Sequence, residues 1–377
     1  MTTIRWTNSL FDKLVTQGDQ RADAVAQAVL ARGDLGSINR LMRTLTHNAE
    51  PVPEELPPEV IAYFEDSAAL PPWADPAQIE VGQSVFVRYG QPILQSLMLR
   101  ALPECYAMSE GAEILVRTGR LAQLTRQRVL ETVHFTVDVM IPGGLGEHGR
   151  GIRSAQRVRL LHAAIRTHLR EGGHIQAGRE PINQLEMLAT LGSFSALTID
   201  SIRRLGVDLS TEERDAYIHC WNVVGYVMGI RANLLFRDLE DGLELWRHVR
   251  ERECAPSEAG TALTQALLEF ANGLVPGWIF DGINPTMLRH VCGDELADLL
   301  EVPPANWMRV FLRGYRRLVR ASDDIQDVGP VARWIVRHVS HRAIVSLLGR
   351  GRAGARPSFD IPASLRASWG IPEAKEN

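Results

Sequence analysis

A histidine interrupts the apolar stripe of a predicted helix in the segment RVRLLHAAIRTHLR, residues 157–170. His162 falls among apolar residues that recur at steps of three and four, namely Val158, Leu161, Ile165 and Leu169, so its imidazole is predicted to point into the protein. The opposite side is predicted to face solvent and carries Arg157, Thr167, His168 and Arg170. A buried imidazole without a partner costs about 1–3 kcal/mol, so it takes a hydrogen-bond partner or a metal ion. The spacing alone leaves both a core histidine and a metal ligand open.

A second predicted helix carries an arginine and a threonine on its apolar side. In LTRQRVLETVHFTVDVM, residues 124–140, one face holds Leu124, Arg128, Thr132, Phe135 and Val139. A buried arginine needs an anionic or polar partner, because an uncompensated charge is expensive in the protein interior. Arg128 therefore forms either a structural ion pair, for instance with Glu131, or part of a binding site.

The same helix contains the spacing Glu131-x-x-His134, which di-iron carboxylate bundles use. Such a site needs a second helical copy of the spacing, and the near match from Glu171 to His174 is interrupted by two glycines. A di-iron site is therefore a weaker alternative. The nucleophile-elbow, zinc-protease, P-loop and dinucleotide-binding motifs do not occur in the sequence.

Helical periodicity dominates the chain, and strand-like alternation between turn signals is hard to find, which predicts an all-α fold. Glycine-rich segments should end two of the helices, IPGGLGEHGRG at 141–151 and EGGHIQAGREP at 171–181. Ser210 followed by Glu213 is a capping box that predicts a further helix start.

The proline-rich stretch AEPVPEELPPEV is the best candidate for a connector. It divides the chain into an N-terminal helical extension with this connector, residues 1–56, and one all-α domain, residues 57–351. The glycines and prolines of residues 352–377 predict a loosely ordered C-terminal tail.

Composition excludes several classes of protein. The net charge of −4 and the pI near 6.3 give no general attraction to nucleic acid. The four cysteines lack the spacing of a zinc site or a disulfide framework. The sequence shows neither an apolar run of spanning length nor a signal peptide, which predicts a cytoplasmic protein without stable membrane insertion. The only lysines are Lys13 and Lys375, so no lysine is available in the middle of the chain.

Four separated segments, in this order, resemble segments of the latex clearing proteins, the b-type haem rubber oxygenases, and of their uncharacterised oxygenase relatives. The segments are EGAEILVRTGR, RVLET, RVRLLHAAIR and EPINQLEMLATLGSFSALTIDSIRRLGVDLSTEERDAYIHCWNVVGYVMGI. The resemblance is good over about residues 80–240. It implies a globin-like bundle of many helices that encloses a haem pocket, with haem b (iron protoporphyrin IX) as cofactor and O2 as co-substrate.

The resemblance also implies roles for individual residues. His162 takes the place of the proximal iron ligand, while Arg128 and Thr132 take distal positions, where they could stabilise charge on oxygen or hold a haem propionate. Glu110 best matches a glutamate that acts as a base, and Glu113, one turn later, is a competing match. A second-shell acceptor is expected on the other ring nitrogen of His162.

This chain departs from the closed-state rubber-cleaving relatives at Glu131, because those proteins carry a lysine immediately before the threonine. The expected function is that of a haem b-dependent oxygenase that binds O2 on the face opposite His162. The lack of a secretion signal favours a small or medium apolar, unsaturated substrate over polymeric rubber. A non-catalytic haem sensor or carrier and the di-iron oxidase are the alternatives, and the oligomeric state is left open.

Overall fold

The computed structural model describes residues 5–31, 39, 43–117, 121–172, 178–274 and 282–304. Within these ranges the chain forms helices and loops, and extended backbone pairs only at an isolated antiparallel bridge between Met108 and Cys254. The all-α fold predicted from the sequence is therefore confirmed.

The first group of helices lies before the glycine-rich loop at 141–150. They are α1 (Asn8–Leu14), α2 (Gln20–Ala31), α3 (Pro58–Asp66), α4 (Pro76–Ser96), α5 (Leu102–Ala107), α6 (Ser109–Arg117) and α7 (Leu121–Met140). A π-helical turn, Leu97–Ala101, joins α4 to α5. The helices after the loop are α8 (Gly151–Glu171), α9 (Gln184–Phe194), α10 (Ala196–Leu205), α11 (Thr211–Val227), α12 (Leu239–Glu253), α13 (Glu258–Leu274), α14 (Ile283–Cys292) and α15 (Asp294–Leu299).

The predicted helix boundaries follow from local chemistry. Helix α7 ends at Met140, where the glycine-rich loop begins, and α8 ends at Glu171 with Gly172 as its C-cap. The capping box predicted at the start of α11 is present, since Ser210 accepts from the backbone of Glu213 and the Glu213 carboxylate accepts from the backbone of Ser210. These signals lie within a few residues of the feature they determine.

A distant side chain fixes the loop between α7 and α8. The Asn48 amide donates to the carbonyl of Gly144 at 3.0 Å and to that of Gly146 at 2.6 Å. Its oxygen accepts from the backbone N–H of Ile152 at 3.0 Å and of Arg153 at 3.2 Å. These two N–H groups lie in the first turn of α8, where no helical carbonyl can reach them. Asn48 therefore caps α8 and fixes the point at which that helix leaves α7.

Helix α8 is buried on a different side from the one predicted. The residues packed into the core include Leu160, Ala163, Ala164 and Thr167. Thr167, which was expected to face solvent, is only 3% exposed and donates to the carbonyl of Ala163, while Arg157, His168 and Arg170 are half-buried. The predicted solvent face is wrong because α2 packs along it.

Three apolar clusters hold the helices together. The largest is built mainly from α4 and from α7 to α12. A second joins α5 and α6 to α13, α14 and α15, and a third lies between α2, α3 and α8. Helix α8 contributes Ile152 and Ala155 to the first cluster and Leu160 and Ala163 to the third. It is therefore the shared wall of two cores.

No helix in the described ranges has both the length and the hydropathy needed to span a bilayer. The division of the chain at residue 57 remains a prediction. Trp6 just before α1, Phe11 on α1 and Ala22 on α2 all lie within the apolar clusters. The predicted tail, residues 352–377, and the end of the predicted domain, residues 305–351, lie outside the described residues.

Candidate active site

The imidazole of His162 lies deep in the protein without a hydrogen-bond partner. Its Nδ1 atom is fully buried and unpaired within the described part of the chain. Burial, assisted by the positive charge of Arg166 and opposed by Asp19, lowers the pKa of His162 from 6.5 to about 4. The ring is therefore neutral at physiological pH, which is the protonation state that a metal ligand requires.

The face of α8 around His162 is partly buried, because Val158 packs against the largest apolar cluster and Leu161 and Ile165 pack against the third. Val158, Leu161, His162 and Ile165 all keep part of their surface accessible, whereas Ala163 and Ala164 behind them are buried. Apolar side chains that border accessible space beside an unpaired imidazole fit a flat, apolar prosthetic group such as haem. The expected second-shell acceptor on the imidazole is not found among the described residues.

Ion pairs fasten α8 to α2 on either side of His162. Arg159, one turn before the histidine, donates to both carboxylate oxygens of Asp19, at 2.5 and 2.9 Å. Arg166, one turn after it, donates to Asp23 at 2.7 Å and to the carbonyl of Ile182 at 3.0 Å. The helix that carries His162 is thus held above and below the ring.

Helix α7 presents Thr132 and Arg128 near the height of His162. Ser154, at the start of α8, donates to Asp138, near the end of α7, at 2.6 Å, and α8 packs back along α7 from that point. At 1.5 Å per residue, Thr132 lies about 9 Å from Asp138 along α7, and His162 lies about 12 Å from Ser154 along α8. The two residues are therefore within about 3 Å of the same height, and Arg128 lies one turn from Thr132.

Arg128 is a deeply placed cation. Its pKa is lowered because burial outweighs the attraction of Tyr106 and Glu131. One guanidinium nitrogen reaches the carbonyl of Leu115 on α6 at 3.4 Å. An arginine stays protonated despite such a shift, so the interior next to α7 carries a positive charge.

The two neighbours of this arginine on α7 differ in their bonding. The hydroxyl of Thr132 forms no hydrogen bond within the described residues, and its backbone carbonyl accepts from Thr136. Glu131 is half-buried and accepts from Gln127 at 2.8 Å. Thr132 therefore keeps a free donor for a ligand, while the carboxylate of Glu131 has a neighbour on its own helix.

Glu110 and Glu113 lie on α6, the helix that Arg128 touches. Glu110 is half-buried in the first turn of α6, and Glu113 is exposed. Among the described residues, Glu110 forms no hydrogen bond or ion pair with Arg128, Thr132 or His162. Three of the predicted site residues thus lie on the packed helices α7 and α8, and Glu110 lies on α6.

Tyr106 is a neighbour of Arg128 that sequence reasoning missed. It is buried at the end of α5, and burial raises its pKa above the ordinary range of tyrosine. No spacing rule connects it with Arg128, because they lie on different helices joined through α6. The only available signal was an aromatic residue within an apolar run.

The di-iron alternative gains no support from the described part of the chain. There, no three His, Cys, Asp or Glu side chains gather as metal ligands would. His134, half of the Glu-x-x-His spacing, lies with its Nδ1 2.7 Å from the carbonyl of Leu130 on its own helix.

Comparisons with known proteins agree with the fold and with the resemblance. The chain is 24% identical over 367 residues to a rubber oxygenase of Streptomyces sp. (strain K30). The aligned region covers 93% of this chain and 86% of the relative. A solved structure of latex clearing protein LCP in the closed state matches with a TM-score of 0.78 at 23% identity, over 92% of this chain and 94% of that one. This structural similarity concerns the fold.

Residues 94–321, more than half of the chain, match the family described as ER-bound oxygenase mpaB/B′/Rubber oxygenase, catalytic domain. The match contains α6, α7 and α8 and therefore all the candidate site residues. The chain belongs to this family, and the protein is an oxygenase, an enzyme of the oxidoreductase class.

Proposed function

We propose that this protein is a haem b-dependent oxygenase that acts on an apolar, unsaturated substrate, with His162 as the iron ligand. One observation carries the proposal: a neutral imidazole, with Nδ1 buried and unpaired, borders accessible space on an otherwise apolar helix face. A hydrogen-bonded core histidine would have a protein partner, and His162 has none among the described residues. With Nδ1 buried, the other ring nitrogen is the one that would bind a metal ion, and a planar apolar group that carries this ion would fit the apolar surroundings of the ring.

His162 would bind the iron, and the ion pairs of α8 with α2 would keep its ring in place. Haem, when bound, would supply the redox-active iron that activates dioxygen. The low pKa of His162 keeps the nitrogen lone pair available at neutral pH, because protonation of the ring competes with coordination. The lack of a second-shell acceptor would leave the ring less basic than in sites where that acceptor is present.

Arg128 and Thr132 would serve the opposite side of the site. A positive charge and a hydroxyl in a buried position stabilise negative charge that develops on oxygen, and the low dielectric of the interior strengthens this effect. Arg128 could instead hold a propionate, as the sequence also allows. We propose the oxygen side, because Thr132 supplies its free hydroxyl at nearly the height of His162.

Glu110 is proposed as the base that removes an allylic proton from the substrate. It is half-buried, whereas the competing Glu113 is exposed, and a general base must lie where a bound substrate can reach it. Glu131 would replace the lysine found in the closed-state relatives, so no lysine of the central chain could reach the iron.

A polyisoprene-like molecule is the proposed substrate class, a proposal supported by the rubber oxygenase of Streptomyces sp. (strain K30) to which the chain is similar. Such a molecule is apolar and rich in alkenes, and it would bind the accessible apolar surface beside His162. We propose no nucleic-acid partner, and the cytoplasmic location remains a prediction.

Haem content tests the proposal. Pyridine haemochrome analysis of the purified protein should give about one haem b per chain, and His162→Ala should lose the Soret band or most of it. His168→Ala, on the same helix, is the matched control and should keep its haem. Unchanged haem content in His162→Ala would reject the assignment. Dioxygen-dependent loss of squalene with the parent protein separates an oxygenase from a haem carrier.

A further inference from the structure

Tyr106 is a buried tyrosine whose hydroxyl has no hydrogen-bond partner among the described residues. It lies near the end of α5 and is 6% exposed. Two other buried tyrosines donate to backbone carbonyls: Tyr63 to that of Gln156 at 2.9 Å and Tyr217 to that of Phe194 at 3.4 Å. A buried phenol usually finds such a partner, so Tyr106 is an exception.

The hydroxyl of Tyr106 borders accessible space. Its oxygen atom is unpaired yet not completely buried, so the small exposed fraction of this residue includes the hydroxyl. Burial raises the pKa of Tyr106, although the charge of Arg128 opposes this shift. The phenol is therefore protonated at physiological pH and can donate a hydrogen bond to a ligand.

Tyr106 and Arg128 border the same region of the protein. Each of the two side chains influences the other electrostatically. The Arg128 guanidinium reaches the carbonyl of Leu115 at 3.4 Å, and Leu115 packs against the apolar cluster that contains Tyr106 and Val129. Helices α5, α6 and α7 all pack against α13. The end of α5 therefore lies next to the part of α7 that carries the proposed oxygen side of the site.

A phenol and a guanidinium beside one space suit a ligand atom that accepts hydrogen bonds. The apolar substrate class proposed above offers no such atom, whereas the dioxygen co-substrate does and gains negative charge when it is reduced. A hydrogen bond to a charged acceptor is also stronger than one between neutral groups.

We propose that Tyr106 is a catalytic residue on the oxygen side of the site, where its hydroxyl donates a hydrogen bond to the oxygen atom whose negative charge Arg128 stabilises. This inference rests on the proposed function. It adds a second hydroxyl donor to that of Thr132 and takes it from a different helix.

Fluoride binding to the ferric, haem-loaded protein tests the inference. Fluoride is a small anion that binds ferric iron and accepts hydrogen bonds, so it takes the place of a negatively charged oxygen atom. Tyr106→Phe keeps the ring and removes the hydroxyl, so the dissociation constant of fluoride, followed by the haem absorbance, should rise about 10- to 100-fold. Equal fluoride affinity of the parent and the variant would overturn the inference.

Two controls separate a lost donor from altered packing. Imidazole uses the lone pair of its coordinating nitrogen to bind the iron, so its affinity should be the same in the parent and in Tyr106→Phe. Tyr217→Phe is the matched variant, because it removes the same hydroxyl from another buried tyrosine, and it should leave fluoride affinity unchanged. A loss of imidazole affinity as large as the loss of fluoride affinity would refute the hydrogen bond.

Urea unfolding of the haem-free protein gives a readout that does not depend on haem. Tyr217→Phe removes a hydroxyl that is bonded within the chain and should lower the midpoint of unfolding. Tyr106→Phe should leave the midpoint nearly unchanged. If both variants lowered it equally, the hydroxyl of Tyr106 would have a partner in the chain, and the inference would fail.

The Arg128→Met background distinguishes a direct contact from an effect through the arginine. In that background Tyr106→Phe should again weaken fluoride binding, because the hydroxyl itself touches the ligand. If the effect disappeared there, Tyr106 would act only by positioning Arg128, and the direct hydrogen bond would be rejected.

The result is distinguishable from a failure of the proposed function. A parent protein that binds no haemin at all would reject the haem oxygenase itself. A parent that binds haemin through His162, and fluoride with an affinity that Tyr106→Phe does not change, would reject only the role of Tyr106.

Discussion

Two buried arginines on neighbouring helices, Arg159 on α8 and Arg128 on α7, respond to burial in opposite ways. Burial lowers the pKa of both, but at Arg159 the hydrogen bonds and charge of Asp19 outweigh it, so the pKa is raised. At Arg128 the attraction of Tyr106 and Glu131 does not outweigh burial, and the pKa is lowered. The charge of Arg159 therefore stabilises the folded protein, whereas burial makes the charge of Arg128 less favourable than it would be in water.

The difference separates the two sides of the proposed site. On the His162 side, α2 supplies Asp19 and Asp23 to the arginines of α8, so that helix is fixed. On the α7 side, burial lowers the pKa of Arg128, so the interior favours its charge less than it favours that of Arg159. Enzymes concentrate such destabilised charges where they act on a substrate. The comparison therefore indicates a structural role for the ion pairs between α2 and α8, and it is consistent with the chemical role proposed for Arg128.

Removal of an arginine from the fixed side should have the largest effect. Arg166→Met leaves the buried carboxylate of Asp23 with Arg170 alone and should lower the free energy of unfolding by about 3–5 kcal/mol. Urea unfolding followed by circular dichroism measures this loss. Arg21→Met is the control. It removes an exposed ion pair between Arg21 of α2 and Asp66 of α3 and should lower the free energy of unfolding by less than about 1 kcal/mol. Equal losses in the two variants would refute the structural role.

The corresponding change on the α7 side should affect catalysis more than folding. Arg128→Met removes a buried donor and should lower the oxygenase rate about 100- to 1000-fold. Because burial lowers the pKa of Arg128, we expect a smaller loss of stability than in Arg166→Met, measured by the same unfolding experiment. A variant that unfolds as readily as Arg166→Met would show that Arg128 is also structural and would remove the contrast between the two sides.

The pH dependence of stability tests the environment of His162. Its pKa in the folded, haem-free protein is about 4, compared with 6.5 as its ordinary value. Between these pH values the unfolded chain binds a proton that the folded chain does not. The contribution of neutral His162 to the free energy of unfolding is therefore fully present above pH 6.5 and is lost as the pH falls toward 4. The loss is at most about 3 kcal/mol, at about 1.4 kcal/mol per pKa unit.

His162→Leu removes this titration and isolates it from the carboxylates, which also protonate in the same range. The free energy of unfolding of the haem-free parent should fall more steeply between pH 7 and pH 4.5 than that of the variant. Parallel curves would mean that His162 is not held neutral by burial.

The sequence predicts what local chemistry determines. The glycine-rich loop, the Gly172 cap and the Ser210–Glu213 box each act within a turn or two of chain, so they could be read before any packing was known. Helical spacing placed His162 among Val158, Leu161 and Ile165 on one face of α8, but it did not predict that this face would be only partly buried. Arg128 and Thr132 could be placed on one face of α7, although their roles came from the resemblance.

The sequence could not predict the contacts that depend on distant helices. Thr167 looked solvated because α2, which covers it, lies more than a hundred residues earlier in the chain. Asp19 and Asp23 have no pattern that connects them with Arg159 and Arg166.

The smallest expected effect concerns Glu131, whose negative charge partly offsets that of Arg128. Glu131→Gln should retain a side-chain contact with Gln127, since an amide can also accept. Without the carboxylate, Arg128 would attract negative charge on oxygen more strongly, so the rate should rise about two- to fivefold, within the range of a partly screened pair. The rise should shrink in high salt. A loss of a hundredfold instead would make Glu131, in place of Glu110, the residue that accepts the substrate proton, and the same assay on Glu110→Gln would then show little change.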